Sequence, residues 1–151
     1  MRTLLRACVL FGWLVLCIPS PAESQAPPGD GAGSLDEFRE LWKGATRAKD
    51  AGALAALMDD QIVQLRGDFP PLVGREAVRA FAADMFSRIP GANPFEMYPL
   101  GSRVAESWAL EYGEFGPTGG GRAGGYLLVL KRVEDRWVAT VWKYGRAMRM
   151  P

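Results

Sequence analysis

Histidine does not occur in this chain of 151 residues, and its two cysteines, Cys8 and Cys17, both fall near the start. The first absence removes the commonest general base, the Ser-His-Asp arrangement and the usual zinc sites. The second leaves no thiol for a disulfide, a metal or a nucleophile once the leading segment is gone. No metal and no cofactor is therefore expected. Charge of either sign is also scarce in excess: 18 Lys and Arg oppose 17 Asp and Glu. Binding to a nucleic-acid backbone needs a basic surplus gathered on one face, so no nucleic-acid partner is expected. Long apolar runs are missing as well. The longest, residues 7–18, is short for a bilayer span, and nothing later approaches the about 20 apolar residues that a span requires.

That run follows Arg2 and Arg6 and precedes Pro19-Ser20-Pro21-Ala22, the pattern of a secretory signal. Cleavage after Ala22 removes two basic residues and turns the formal charge slightly negative. The expectation is a secreted or periplasmic protein with no membrane span after signal removal. Cys17 is an alternative lipidation point, but Leu16 stands where a small residue is needed before it. Residues 23–33 are rich in Pro, Gly and Ala and read as a flexible tether. The folded domain is placed at 34–146, with a tail at 147–151.

Residues 124–144, GGYLLVLKRVEDRWVATVWKY, dominate what remains. Two runs dense in β-branched and aromatic residues flank Glu134-Asp135 and predict an antiparallel hairpin. A two-residue turn pairs Val133 with Arg136, Lys131 with Val138, Val129 with Thr140 and Leu127 with Trp142. The opposite face then holds Tyr126, Leu128, Leu130 and Arg132 with Trp137, Ala139, Val141 and Lys143. Both faces are apolar, which suits a core or pocket on one side and a partner surface on the other. Cover from the chain's own loops or helices is the alternative, and a bulge would exchange the two faces.

Upstream, Ser34 to Glu37 is a capping box that opens a helix with Leu35, Phe38, Leu41, Trp42 and Ala45 on one stripe. Asp50 caps a second short helix, over 51–58, with Leu54, Leu57 and Met58 inward. A strand at 61–65, a turn at 67–71 and a short return strand at 72–73 follow. After Gly74 a third helix aligns Ala77, Val78, Phe81, Ala82 and Met85 and ends at Pro90-Gly91. Strands are then predicted at 95–100 and 103–115, with Gly119-Gly120-Gly121 in a hairpin loop rather than a phosphate loop. Helices segregated to one side of an antiparallel sheet make an α+β domain.

The helical pair leading into Asp59-Asp60-Gln61-Ile62-Val63, the Gly74-Arg-Glu-Ala-Val-Arg-Ala-Phe81 helix start and the Gly125-Tyr126 to Arg136-Trp137 hairpin together resemble SnoaL-like members of the nuclear transport factor 2-like superfamily. The resemblance covers residues 35–144. It implies a strongly curved sheet wrapped around the N-terminal helices as a cone, with a pocket inside, and a homodimer through the outer sheet face. Steroid isomerases of the same superfamily use a strand carboxylate as base and a helix tyrosine as oxyanion donor. On that pattern Leu65 stands at the base position and Trp42 at the tyrosine position, which leaves isomerase chemistry unsupported; Asp68 could stand in only on a shifted alignment. Members often carry an aspartate about five residues after the hairpin tryptophan, where this chain has Trp142. Asp59-Asp60 reads as a solvated turn.

If residues 103–115 pair with 124–132, then Glu106, Trp108, Leu110 and Tyr112 share the side of Tyr126, Leu128, Leu130 and Arg132. With Trp42, Leu65, Phe81 and Tyr98 they would wall a pocket for a small apolar ligand, or simply fill the core. Glu106 and Arg132 are either a mutual ion pair or polar fixtures of that pocket. Three functions stay open: a binding protein for a small apolar ligand or a partner protein in the cell envelope, a small isomerase or hydrolase using Asp68, Glu106 or Tyr98, and a structural dimerisation module.

Overall fold

The computed structural model describes residues 33–89, 95–117 and 120–145. Three helices come first, interrupted by a short hairpin: α1 (Leu35–Ala48), α2 (Ala51–Ala56), β1 (Met58–Arg66), β2 (Phe69–Val73) and α3 (Arg75–Arg88). Four longer strands follow, β3 (Phe95–Val104), β4 (Trp108–Pro117), β5 (Gly124–Val133) and β6 (Arg136–Gly145). The signal, most of the tether, Pro90-Gly91, Gly119 and the tail expected from sequence lie outside the described residues. Among the described residues no helix is long and apolar enough to cross a membrane.

The helix starts follow their caps. Ser34 Oγ accepts from the Glu37 N–H at 3.1 Å, while the Glu37 carboxylate accepts from the Gly33 N–H. Asp50 Oδ1 accepts from the Ala53 N–H at 2.9 Å. The Ser34 and Asp50 bonds each satisfy a backbone donor that the first helical turn leaves free, and the Glu37 bond ties down the residue before the cap. Gly74 caps α3 with φ at 92°, a value that side chains with a Cβ rarely adopt. Within α1 the buried face is Phe38, Trp42, Ala45 and Thr46, and Leu41, expected on the stripe, is 53% exposed. Met58, expected at the end of α2, is buried but opens β1.

All six strands form one sheet in the order β2-β1-β6-β5-β4-β3. Every neighbouring pair is antiparallel except β1 with β6, which run parallel. Register breaks occur in β1, in β3 and between β5 and β6. Such bulges bend strands and increase twist, which curves this open sheet over the helices. The core lies between, built from Phe38, Trp42, Leu54, Ile62, Val78, Phe86, Leu128, Leu130 and Trp137.

Two local expectations change. Residues 103–115 are not one strand, because the chain reverses at 105–107, where the Ala105 N–H donates to the Trp108 carbonyl at 2.8 Å, making β3 and β4 a hairpin. The β5–β6 turn is the two-residue turn at Glu134-Asp135, with Glu134 at φ 54°. The predicted pairs Val133 with Arg136 and Lys131 with Val138 are present. Beyond them a shift between Val129 and Leu130 pairs Val129 with Val141 and Leu128 with Trp142. Trp142 and Tyr144 therefore turn toward the helices, where they pack on the core.

Candidate functional site

The inward-turned rings of β6 meet α1 across a cleft. Trp42 lies edge-on to Trp142 with ring centroids 4.6 Å apart, and Trp142 is 4.9 Å from Tyr144. Tyr144 continues edge-on to Phe115 at 6.0 Å, and Phe95 is tilted against Phe115 at 6.4 Å. Centroid spacings of this size are the favourable range for aromatic pairs. The arc lines an open cavity of about 230 Å³, completed by Leu54 from α2, Met85 from α3, Met97 from β3, and Thr46, Glu96 and Tyr126. Thr46 turns its hydroxyl away by donating to the Trp42 carbonyl at 3.0 Å. A second space of about 190 Å³, lined also by Arg39, Glu40, Lys43 and Pro99, shares Trp42, Thr46, Phe95, Glu96 and Met97 with the first. The two are parts of one cleft between α1 and edge strand β3, apolar inside and charged at the mouth.

One polar network is buried beside this cleft. Tyr126 donates its hydroxyl to Glu111 Oε1 at 2.8 Å, and Arg39 reaches from α1 to Glu111 Oε2 through Nε at 2.9 Å and Nη2 at 2.6 Å. Glu111 is only 1% exposed. A carboxylate so deep requires a countercharge and donors, and here it has both. Burial, then the negative charge and hydrogen bond of Glu111, push the Tyr126 phenol far above its ordinary value, with Arg39 opposing. Burial disfavours the Arg39 charge, but the hydrogen bonds and charges of Glu111 and Asp36 outweigh it and raise its pKa. Burial also raises Tyr144, against the positive charge of Arg66. Tyr126 has room for its ring because residue 113 is glycine: a Cβ there would stand 2.8 Å from Tyr126 Cε1.

Of the residues expected to wall a pocket, Trp42 and Tyr126 do so. Trp108 and Tyr112 do not, since Ala109, Glu111 and Gly113 are the β4 residues paired with Leu130, Leu128 and Tyr126 on the inner face. The aromatic set is one residue out of phase and lies on the outer face, 47% and 37% exposed. Tyr98 is also outside, under the Arg122 guanidinium at 3.3 Å. Glu106 is exposed in the 105–107 turn, and Arg132 is exposed over the Trp137 ring at 4.7 Å, so they form neither an ion pair nor a pocket fixture. Leu65 pairs with Lys143 on the outer side of β1 and β6, and Phe81 packs under the Arg66 guanidinium at 4.4 Å. Asp68 is exposed.

Asp59 and Asp60 point apart, Asp59 to Lys131 at 2.5 Å and Asp60 to Arg75 at 2.9 Å. The hydrogen bond from Lys131 is the main cause of the lowered Asp59 pKa, with burial opposing it and the Gln61 N–H adding to it. Among the described residues no group of three or more His, Cys, Asp or Glu could hold a metal ion.

Residues 35–140 match the SnoaL-like domain. The chain belongs to this family. Solved structures with the same fold include a nuclear transport factor 2-like protein of unknown function from Pseudomonas putida, 20% identical, with a TM-score of 0.65 over 77% of this chain and 86% of that one. A putative calcium/calmodulin-dependent protein kinase type II association domain from Thiobacillus denitrificans is 16% identical, with a TM-score of 0.64 over 77% and 97% of the two chains. A ketosteroid isomerase-like protein from Erwinia carotovora is 16% identical, with a TM-score of 0.56 over 77% and 94%. No curated protein matches the sequence. At these identities the structural likeness carries the fold of the SnoaL-like domain and nothing further.

Proposed function

We propose that this SnoaL-like domain is an exported binding protein that takes a small, ring-bearing, largely apolar ligand into the cleft between α1 and the sheet. The cavity of about 230 Å³ walled by Trp42, Trp142, Tyr144, Phe115 and the thioethers of Met85 and Met97 carries this reading. A dry apolar cavity of about 150 Å³ holds benzene, so this one suits a one- or two-ring molecule. The chemistry of the lining favours holding over turnover. Glu96 in the lining is ion-paired with Arg47 from α1, Glu40 at the mouth with Lys43, and the buried Glu111 is neutralised by Arg39. The Tyr126 proton is directed at Glu111 rather than at a substrate.

Self-association belongs to the same proposal. Trp108, Leu110 and Tyr112 share the outer face with Leu127 and Val129, their neighbours on β5, as the register of β4 and β5 shows. That apolar surface fits a second copy of the chain, forming a homodimer and leaving the cleft on the far side of each sheet open. Export rests on the signal pattern of residues 1–22.

Native mass spectrometry of the protein from its own host's cell envelope tests the binding role. A small molecule lost on denaturation is the expected result. Ligand-free protein whose tryptophan emission also ignores one- and two-ring hydrocarbons would overturn it.

A further inference from the structure

Three buried side-chain polar atoms lack a hydrogen-bond partner among the described residues, and all three belong to two side chains: Gln64 Nε2 and Oε1, and Arg66 Nε. Gln64 is fully buried. An amide taken from water without a partner is a standing cost to the fold, so orphans of this kind call for an occupant. Their position gives one. Gln64 pairs with Trp142 and Arg66 with Tyr144 in the β1–β6 register, so the two sit at successive inward positions of β1 beside two rings of the cavity wall. Arg66 is held in place, with Nη2 donating to the Pro70 carbonyl at 3.0 Å and the guanidinium over the Phe81 ring. Its free Nε–H and Gln64 Nε2 are donors, while Gln64 Oε1 is an acceptor.

Building on the cleft as a ligand site, we propose that Gln64 and Arg66 form its polar end and that the ligand is an aromatic carboxylate. The ring stacks within the aromatic arc. The carboxylate accepts from Gln64 Nε2 and Arg66 Nε, and the guanidinium supplies the countercharge that a buried anion needs. Side chains two apart on a strand lie on one face, so both can converge on one planar group. Neither side chain lines the cavity as it stands, so reaching them requires the Trp142 side chain, the register partner of Gln64, to shift.

The test compares cinnamate with β-methylstyrene, which keeps the shape and lacks the charge, by titration of tryptophan emission and by calorimetry on the purified protein. Hydrogen bonds to a charged group are worth about tenfold or more in affinity each, so cinnamate should bind at least about tenfold tighter. In Gln64→Leu and in Arg66→Met that preference should fall toward one. Gln64→Glu, which sets a carboxylate against the ligand's own, should abolish cinnamate binding and serves if the leucine variant folds poorly. Equal binding of the two probes by the unaltered protein would overturn the subsite while leaving the cleft as a binding site, with water serving the orphans. A cinnamate preference indifferent to all three substitutions would place the carboxylate elsewhere and also overturn it. Binding of neither probe would remove the cleft reading and this one with it.

Discussion

The Tyr126 hydroxyl donates to the Glu111 carboxylate across 2.8 Å, and the second oxygen of that carboxylate takes both near donors of Arg39. One buried acid thus ties strand β5 and helix α1 to strand β4. Removing an acceptor from such a network leaves the donors unserved, which is worse than never having had them. Glu111→Leu should destabilise the domain by about 3 kcal/mol, the lower end for a broken buried pair because Arg39 keeps some access to water. Tyr126→Phe, which strands only one carboxylate oxygen, should cost about 1–2 kcal/mol. Urea denaturation of the two variants checks the order; a Glu111→Leu protein as stable as the parent would show that Arg39 and Tyr126 find other partners.

Burial of two phenols sets a pH dependence at the alkaline end. Tyr126 is raised above the unfolded-chain value of 10.0, chiefly by burial and then by Glu111, and Tyr144 is raised by burial. A native state that keeps its phenolic protons longer than the unfolded chain gains stability that is complete below pH 10 and drains as pH rises above it. Spectrophotometric titration should show the phenolates of these two residues appearing together with loss of near-ultraviolet circular dichroism. Ionisation of all four tyrosines near pH 10, with the fold intact, would contradict it.

Gly113 is the third handle on this floor. A Cβ there would stand 2.3 Å from the Tyr98 carbonyl oxygen, 2.9 Å from Pro99 Cα and 2.8 Å from the Tyr126 ring. Two of these are backbone atoms of the edge strand and cannot rotate away. Gly113→Ala should therefore cost about 1–3 kcal/mol, as overpacking does, and push Tyr126 off Glu111. Thermal denaturation reads the first effect. The second appears as an alkaline limit closer to that of Tyr126→Phe than to that of the parent.

The helix caps at Ser34 and Asp50, the hairpin turn at Glu134-Asp135 and the helix-then-sheet order were legible because each is a local signal written in adjacent residues. The inner face of β4 was not. Period-two alternation divides the strand into Trp108, Leu110, Tyr112 and Ala109, Glu111, Gly113, Phe115, but it does not say which set is inside. Hydrophobicity favours the first set, and the structure buries the second. Small size was the available clue: Ala109 and Gly113 leave the space that the Tyr126 ring and the Arg39–Glu111 pair fill. Trp142 failed for another reason. A register shift in the middle of the β5–β6 pairing, which leaves no mark in the sequence, reverses the phase of everything beyond it. Leu65, which the resemblance puts at the base position, lies on the outer side of β1, and it is the adjacent Gln64 that is buried.

Trp108 and Trp142 now exchange the roles that alternation from the turn gave them, and substituting each separates binding from self-association. Trp108 is half-exposed on the outer face, so Trp108→Lys removes apolar contact area from the proposed dimer surface and adds a charge that a second copy must desolvate. It should raise the dimer dissociation constant by about tenfold or more, as loss of a central interface tryptophan does, with little change in melting temperature. Trp142 packs edge-on against Trp42 inside the cleft, so Trp142→Ala enlarges the cavity and forfeits those contacts, at about 3 kcal/mol. It should weaken binding of a one-ring hydrocarbon that relies on the aromatic wall, while sedimentation of the folded protein shows the parent's dimer. If Trp142→Ala instead dissociates the dimer and Trp108→Lys leaves it whole, the surface between copies includes the cleft, and the two faces of the sheet have been assigned the wrong way round.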